Sequence, residues 1–384
     1  MLKSVGRTGG LFAAGIAMAL AMSAAAGPAV AQEDVKLPST MIWTAYDVGS
    51  AGYVEVSGAA DAIDRKFGSK VRIMPSGTSI GRLLPLKTGK ASYGWLGNEL
   101  NFASEGIFEF SAREWGPQDL RTLLGRPATV GTVAGLDTDI ESPADLKGKK
   151  IAYVQANPST RMNFEAVLAF GGLAPDDIEQ VVYPSYNAAL TAFIEGQVDA
   201  ITAVPTSSLL RQAESGRGVR WLQLPAADTE GWDRVRKFAS FYAPATETVG
   251  VSISEDKPVE IIGYRYPMIS VYADADEEEV YNMVKAIDLS YDLFKDVNKV
   301  MPRWKVSLAG KTPSNAPYHP GAVRYLKEVG VWTDEDEAWN QARLERMKNV
   351  QAAWDAAVEK ADAEKVSGAD WPAFWEAYRT ENLK

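Results

Sequence analysis

The sequence predicts an α/β protein of two lobes with a central cleft and a hinge, followed by a C-terminal helical extension. Short apolar runs alternate with amphipathic segments along most of the chain, which is typical of β-α-β units and a parallel sheet. A long apolar and aromatic run, 259–272, then returns the chain to the first lobe, so that two crossings form the hinge. From 332 to 384 the pattern is helical throughout.

Composition excludes several classes of function. The 384 residues are 46% hydrophobic, which is enough for two cores, and they include no cysteine and one histidine. Disulfides, thiolate metal ligands and cysteine nucleophiles are therefore excluded, and no catalytic residue, metal or cofactor is predicted. The net charge of −10 argues against a nucleic-acid partner, because such domains carry a basic excess. We expect a small molecule or a protein as partner.

The N-terminus has the pattern of a signal peptide. Lys3 and Arg7 precede an apolar run over 11–22, and Ala29-Val30-Ala31 has the small-x-small form of a signal-peptidase site. Cleavage is expected after Ala31, which would give an exported, periplasmic protein. No later apolar run approaches the roughly 20 residues that span a bilayer. The mature chain is therefore not expected to span the membrane.

The mature chain opens with repeated strand and loop units. A strand over 41–46 leads through a glycine and serine loop into an amphipathic helix, and a strand over 71–75 leads into a second helix through the hydroxyl-rich loop 77–79. A third strand, 92–96, runs into the polar residues 97–99. These loops aim hydroxyls and backbone N–H groups at one region.

The segment 145–183 reads as one complete unit. Its strand, 151–154, is followed by a turn at Asn157, after which Ser159 or Thr160 can act as the N-cap of a helix. This polar loop lies at the carboxyl end of a strand in a right-handed crossover, where open α/β sheets bind ligands. Free N–H groups and two hydroxyls suit a small anion, although capping alone also explains the hydroxyls.

The remaining elements complete the predicted order. Two separate strands are expected over 121–125 and 130–134, and 205–208 is expected to begin a helix with another hydroxyl-rich turn. A helix over 276–294 follows the long return run. The single histidine, His319, fits a structural polar contact better than a metal or catalytic role.

An ordered series of motifs carries a family resemblance. Asp145-Leu146-Lys147-Gly148-Lys149, the loop and helix after it, and Glu195-Gly196-Gln197-Val198-Asp199-Ala200 resemble the second lobe of TAXI-type solute-binding proteins of TRAP transporters. The resemblance extends upstream to Pro75-Ser76-Gly77-Thr78-Ser79 and downstream to His319-Pro320-Gly321. It covers roughly residues 40 to 330 and stops near Trp332.

The resemblance implies a type II-like, periplasmic-binding-protein-like fold and a transport function. A small carboxylate, either a glutamate-like amino acid or a dicarboxylate, would be captured and delivered to the membrane permease subunits of a TRAP transporter. The corresponding domain division is a signal peptide over 1–31, a first lobe over 32–134 and 261–331, a second lobe over 135–260, and an extension over 332–384.

Ten residues are predicted to bind the ligand. Arg161 has two alternatives: its guanidinium reaches a ligand carboxylate, or it pairs with Glu165 four positions on. The predicted ligand-binding residues are Ser50, Tyr53, Thr78, Ser79, Asn98, Asn157, Ser159, Thr160, Arg161 and Thr206.

Other functions stay open. A receptor of the same fold could serve an ABC-type importer or a sensor system, because the receptor sequence does not encode its partner's energy source. A secreted enzyme that uses carboxylates alone is a remote alternative, since one histidine leaves no Ser-His-Asp or Cys-His arrangement. The apolar stripe of the extension is expected to pack on the parent domain, with a dimer or permease contact as the alternative.

Overall fold

The computed structural model of the chain describes residues 35–155, 157–239 and 241–383. The predicted signal peptide and its cleavage site lie outside these residues. Within them the protein is a mixed α/β structure, so the predicted fold class is confirmed. The predicted C-terminal helical extension is also present.

Ten strands in the described part of the chain form one mixed sheet. Strands next to each other follow the order β2, β1, β3, β10, β4, β7, β5, β6, with β8 paired to β4 and β9 paired to β10. The strands are β1 (Thr40–Ala45), β2 (Lys70–Pro75), β3 (Tyr93–Leu96), β4 (Leu120–Gly135), β5 (Lys150–Val154), β6 (Glu179–Tyr183), β7 (Ala200–Ala203), β8 (Val219–Trp221), β9 (Ala243–Glu247) and β10 (Val259–Tyr272).

Parallel and antiparallel pairing divide the sheet by position. β1 pairs in parallel with β2 and β3 at one side, and β5 pairs in parallel with β6 and β7 at the other. The two long strands β4 and β10 run antiparallel between these groups. Short parallel strands joined by helices need crossover connections, and here the predicted β-α-β units supply them.

The two strands predicted over 121–125 and 130–134 are one continuous strand, β4. Pro127 lies between the two predicted segments and cannot donate a ladder hydrogen bond. The pairing of β4 with β10 shifts register between Arg265 and Met268, opposite Pro127 and Gly125. Such a bulge accommodates a proline without ending the strand.

Helices cover the sheet and form the C-terminal extension. The helix predicted over 276–294 is interrupted at Ser290 and becomes α8 and α9. The helices are α1 (Ala51–Phe67), α2 (Ser79–Lys87), α3 (Glu99–Glu105), α4 (Pro158–Phe170), α5 (Tyr186–Ile194), α6 (Leu210–Ser215), α7 (Thr229–Phe238), α8 (Glu277–Leu289), α9 (Tyr291–Phe294), α10 (Val306–Ala309), α11 (Pro320–Glu328), α12 (Asp334–Glu364) and α13 (Trp371–Asn382).

The extension packs on the rest of the protein through aromatic side chains. Trp354, Trp371 and Trp375 form a buried cluster with edge-on ring contacts. The indole of Trp375 donates to the Gly106 carbonyl at 2.7 Å, and that of Trp371 donates to the Ser111 carbonyl at 2.7 Å. Of the two alternatives for the apolar stripe, the structure therefore shows packing on the parent domain.

Candidate functional site

A cavity lies at the carboxyl ends of five strands. The residues that follow β1, β2 and β3 form one wall, and those that follow β5 and β7 form the opposite wall. This edge is where ligands bind in open α/β sheets. The cavity has a volume of about 60 Å³. At roughly 10–15 Å³ for each water, this is room for about four to six waters.

A buried ion pair forms the floor of the cavity. Arg82 on α2 donates from Nε to Glu99 Oε1 at 2.8 Å, and the side chains of both residues are almost fully buried. Arg82 also donates to the Ser76 carbonyl at 3.1 Å and to Ser79 Oγ at 3.3 Å. Its guanidinium stacks 4.3 Å from the centre of the Tyr46 ring. These contacts fix the guanidinium in one orientation.

Glu99 also joins the two walls. Its second carboxylate oxygen accepts a hydrogen bond from Ser159 Oγ at 2.8 Å. Next to it, Ser79 Oγ donates to Asn157 Oδ1 at 3.2 Å. Residues 60 and 78 positions apart in sequence thus meet at the cavity. The central loop of the unit 145–183 lies directly against the first strand group.

Asn98 is held by a network of amides and a phenol. Its Nδ2 donates to Asn163 Oδ1 at 2.8 Å and to Tyr242 Oη at 2.6 Å. Its Oδ1 accepts from Asn315 Nδ2 at 3.2 Å. Because these partners occupy its polar atoms, Asn98 shapes the wall more than it offers free hydrogen-bonding groups.

The cavity contains both a positive charge, which attracts an anion, and carboxyl groups, which repel one. Burial alone would lower the pKa of Arg82, but the adjacent carboxylate of Glu99 outweighs burial and the pKa is raised. Burial raises the pKa of Asp47, and Arg82 reverses only part of this effect. Two carboxyl groups therefore face one guanidinium in the lining.

Aromatic rings and hydroxyls complete the lining. The rings of Tyr46 and Tyr266 lie 5.0 Å apart, and those of Tyr264 and Tyr266 lie 5.7 Å apart. Burial raises the pKa of Tyr46 well above its usual range, so the phenol stays protonated. The hydroxyls of Tyr46 and Thr202 are buried and have no hydrogen-bond partner among the described residues. A buried polar group of this kind points to a ligand or a water.

Half of the predicted ligand-binding residues line the cavity. Two others support it from behind: Ser79 contacts both Arg82 and Asn157, and Thr78 caps α2 by accepting from the Gly81 N–H at 3.1 Å. Tyr53 lies in the first turn of α1 outside the lining, and its N–H donates to Ser50 Oγ at 3.2 Å. The predicted residues in the lining are Ser50, Asn98, Asn157, Ser159 and Thr160.

Arg161 and Thr206 lie outside the lining. Arg161 Nε donates to Glu165 Oε1 at 2.8 Å, which is the second alternative given for it. Thr206 does not begin a helix, since 205–208 forms a turn and α6 starts at Leu210. A hydroxyl-rich turn before an apolar run resembles an N-terminus in sequence, but here the turn closes locally.

The N-cap of α4 is Asn157, not Ser159 or Thr160. Asn157 Oδ1 accepts from the Thr160 N–H at 3.4 Å, and Pro158 occupies the first helical position. Asparagine before proline fits this geometry, because Pro has no N–H to satisfy at that position. The Ser159 hydroxyl is consequently free to bond across the cavity.

The ligand-binding residues predicted from the sequence include none of the charged or aromatic residues of the lining, which are Tyr46, Asp47, Arg82, Glu99, Tyr186, Tyr264 and Tyr266. Tyr46 and Asp47 directly follow β1, so the carboxyl-end rule alone would have found them. Arg82 lies on the polar side of a helix pattern, where a charge usually faces solvent. Arg82 lies three positions after Ser79 and therefore on the same side of the helix, and this spacing was the one sign in the sequence that Arg82 faces the site.

The described residues contain neither a candidate metal cluster nor a candidate membrane span. No group of three or more acidic or histidine side chains that could hold a metal ion occurs among them. No helix within the described ranges has the length and apolar character needed to cross a membrane.

The fold and the cavity define an α/β protein with a small enclosed site at the carboxyl ends of its parallel strands. The sequence profile of the NMT1-like family matches residues 56–330, which is more than half of the chain, and the protein belongs to this family. The match ends just before the C-terminal extension.

Several solved structures are similar to this chain. The alkanesulfonate-binding protein SsuA from Xanthomonas axonopodis pv. citri bound to MOPS has 16% identity and a TM-score of 0.43, over 86% of this chain and 95% of that chain. PhnD1 from Prochlorococcus marinus in complex with methylphosphonate has 11% identity and a TM-score of 0.46, over 77% and 100%. An ancestral arginine-binding protein bound to arginine has 16% identity and a TM-score of 0.43, over 70% and 99%.

Proposed function

We propose that this protein is an extracytoplasmic solute receptor that captures a small carboxylate in the cavity and delivers it to a membrane permease of the TRAP type. The observation that carries the proposal is the cavity built from both strand groups, which meet through Ser159 and Glu99 at 2.8 Å. A receptor needs such a site, whose two walls come together around a ligand.

The charge of the lining favours an amino acid over a dicarboxylate. Asp47 and Glu99 already set two carboxyl groups against the guanidinium of Arg82. A dicarboxylate would bring two more negative charges into a partly buried site, and like charges at short distance are costly. Glutamate also has two carboxylates, but its ammonium group halves the net negative charge and can donate hydrogen bonds to Asp47, while one carboxylate lies toward the N–H groups of α4.

Several lining residues have defined roles in this proposal. Ser50 and Thr160 lie at the starts of α1 and α4, where their hydroxyls donate to the Asp47 carbonyl at 2.7 Å and the Asn157 carbonyl at 3.0 Å, and the Asn157 amide donates to the Gly77 carbonyl at 3.4 Å. A ligand carboxylate would take these donors from the carbonyls, beside backbone N–H groups that favour an anion. The unpartnered hydroxyl of Tyr46 supplies a further hydrogen bond. Thr78 and Ser79 hold α2 and Arg82 in place, and Asn98 shapes the wall.

The domain division belongs to the same proposal. A first lobe over 32–134 and 261–331 and a second lobe over 135–260 would move about the two long strands β4 and β10, which connect the parallel groups. Ligand binding between the lobes would favour the closed arrangement. The chain would act without catalysis, after export to the periplasm and cleavage behind Ala31.

The type of transporter that the protein serves has specific alternatives. A TAXI-type receptor would function with TRAP permease subunits, whereas a receptor of an ABC-type importer or a sensor would use the same cavity. Genes for membrane subunits beside this one discriminate between these partners. The proposal expects TRAP permease genes there, and genes for an ATPase subunit would contradict it.

A thermal-shift panel tests the ligand class. Mature protein is heated with L-glutamate, L-glutamine, succinate, 2-oxoglutarate or L-arginine, and the proposal expects the largest stabilisation from glutamate-like compounds. A ligand at 100 times its dissociation constant adds about 2.7 kcal/mol to native-state stability. Thr160→Ala in the lining should reduce the shift, whereas the matched exposed Thr380→Ala should not. A panel without any shift would contradict the proposal.

A further inference from the structure

The C-terminal extension is anchored to the far end of a helix whose near end forms the cavity wall. α3 begins beside Asn98, carries Glu99 at its first position and ends at Glu105. At about 1.5 Å per residue, Glu99 and Glu105 are roughly 9 Å apart along the helix axis. Any shift of the Glu105 end is transmitted to Glu99, because one short helix joins them.

Three arginines of the extension converge on Glu105. Arg343 donates to Glu105 Oε1 at 2.7 Å, Arg346 donates to Oε2 at 2.9 Å, and Arg379 lies 3.5 Å from Oε2. The Glu105 side chain is 8% exposed, and the arginine side chains are between 17% and 27% exposed. Burial alone would raise the pKa of Glu105, and the arginines more than reverse this, so the pKa is lowered. The carboxylate stays ionised and paired.

Arg343 reaches the cavity network by a second route. Its guanidinium also donates to Asn101 Oδ1 on α3 at 3.1 Å and to the Asn315 carbonyl at 3.5 Å. The side chain of Asn315 in turn donates to Asn98 Oδ1 at 3.2 Å. The extension therefore contacts α3 at its end, at its middle and, through Asn315, at its start.

We propose that the C-terminal extension positions α3 for ligand binding, with Arg343, Arg346 and Glu105 as positioning residues that hold Asn98 and Glu99 at the cavity. None of the three contacts the lining directly. This inference rests on the proposed function for its consequence, the ligand affinity, but not for the placement of α3 itself. It also gives a role to residues that lie beyond the family match at 56–330.

The test uses full-length mature protein and the variant Glu105→Gln, which keeps the shape of the side chain and removes its charge. The matched control is Asp362→Asn, which removes the 2.7 Å ion pair between the extension and Arg113, away from α3. Hydrogen exchange of backbone amides in 99–105 should be about tenfold faster in Glu105→Gln and within about twofold of wild type in the control. Arg343→Gln replaces Glu105→Gln in this test if the latter does not fold. Arg343→Lys, which keeps the positive charge, should recover part of the protection from exchange that Arg343→Gln loses.

Ligand affinity gives the second measurement. With L-glutamate as the probe, Glu105→Gln should bind at least about fivefold more weakly than wild type, and Asp362→Asn should bind equally well. Unchanged exchange in 99–105, an equal increase in the control, or changed exchange with unchanged affinity would overturn the inference. If wild type binds none of the panel compounds, the proposed function fails, while the exchange measurement still decides whether the extension fixes α3.

Discussion

Arg82 is the residue on which the order of the cavity depends most. It is 1% exposed, and its guanidinium contacts Glu99, Ser76, Ser79 and the Tyr46 ring. A buried charge of this kind is stable only while its partner is present, because the desolvation of an unpaired ion is not offset. The ion pair therefore organises the floor of the cavity before any ligand binds.

The first prediction is that Arg82→Met strongly destabilises the protein. The variant leaves Glu99 buried without its ion partner, which should lower the free energy of unfolding by about 3 to 5 kcal/mol in urea denaturation. The double variant Arg82→Met with Glu99→Met should lose much less than the sum of the two single variants, because both charges are removed together. Simple additivity of the two losses would show that the pair is not coupled.

Arg161 gives a prediction that separates affinity from stability. Its side chain is 51% exposed, but that of its partner Glu165, four positions on, is 7% exposed, and a buried carboxylate that loses its ion partner is destabilised. Arg161→Gln should therefore lower the melting temperature and leave ligand affinity within about threefold of wild type, as measured by titration calorimetry. A tenfold loss of affinity would place Arg161 in the site.

The hydroxyl-rich loops of the site were visible in the sequence, but its charges were not. Loops such as 77–79 and 157–160 combine turn residues with strand ends, so local pattern reveals them. The pair of Arg82 and Glu99 forms only when the end of β3 comes to lie beside α2. Long-range contacts of this kind leave no periodic signal, and Arg82 reads as a solvent-facing charge of an amphipathic helix.

At the scale of elements, the close approach of α1 to β1 sets one side of the cavity. A Cβ added at Gly52 would lie 2.4 Å from a ring carbon of Tyr46 and 2.9 Å from the Tyr266 hydroxyl. Both rings are buried and pack on each other, so neither can move freely. The first turn of α1 needs glycine at this position for its approach to the aromatic rings.

Gly52→Ala should therefore cost about 1 to 3 kcal/mol of stability through overpacking. Gly58→Ala in the same helix is the control, because its new methyl group meets only Val297, a side chain that is 47% exposed and can yield. That control should be neutral or stabilising by about 0.4 to 1 kcal/mol. Urea denaturation of both variants measures the difference, and equal effects would contradict the packing argument.

The start of α12 gives a prediction for pH. Glu337 accepts hydrogen bonds from Gln341, Lys327 and the Trp332 indole, which lower its pKa from 4.5 to about 2. A lowered pKa means that the stabilisation is fully present above the unfolded value and is lost as pH falls through the folded value. The stability gap between wild type and Glu337→Gln should be constant above about pH 5 and shrink from about pH 4.5 to 2.

Chemical denaturation at a series of pH values measures this gap. A gap that stayed constant down to pH 2 would show that Glu337 is not stabilised in its charged form. Asn349→Ala, at an exposed position farther along the same helix, changes no titratable side chain and is the control, so its stability gap should not vary with pH.

Secondary structure was predicted correctly where it follows from the spacing of nearby apolar residues. It was predicted wrongly where contacts with residues distant in sequence determine the structure. The strand β1 and the capping-box start of α12 follow from short-range pattern, and the structure has both. The continuity of β4 depends on its pairing with β10, whose residues lie about 140 positions away. Pro127, in the middle of β4, makes the strand look interrupted in the sequence. Likewise, Thr206 looks like a helix start, but tertiary packing makes it part of a turn.

At the scale of the whole molecule, the parallel strand groups supply the walls of one cavity and the long antiparallel strands connect them. The contacts of Ser159 with Glu99 and of Asn157 with Ser79 join the walls directly. The extension reinforces one wall from outside, through Glu105 at the end of α3. We propose that ligand binding, closure of the two lobes and the placement of α3 depend on one another.

The most direct test is a crystal structure of the mature protein grown with the panel compound that raises the melting temperature most. We expect ligand density between Tyr46, Arg82 and Asn157, with a carboxylate toward the start of α4 and an ammonium group toward Asp47. Density at another surface, with this cavity still closed by the contact between Ser159 and Glu99, would contradict the assignment of the site.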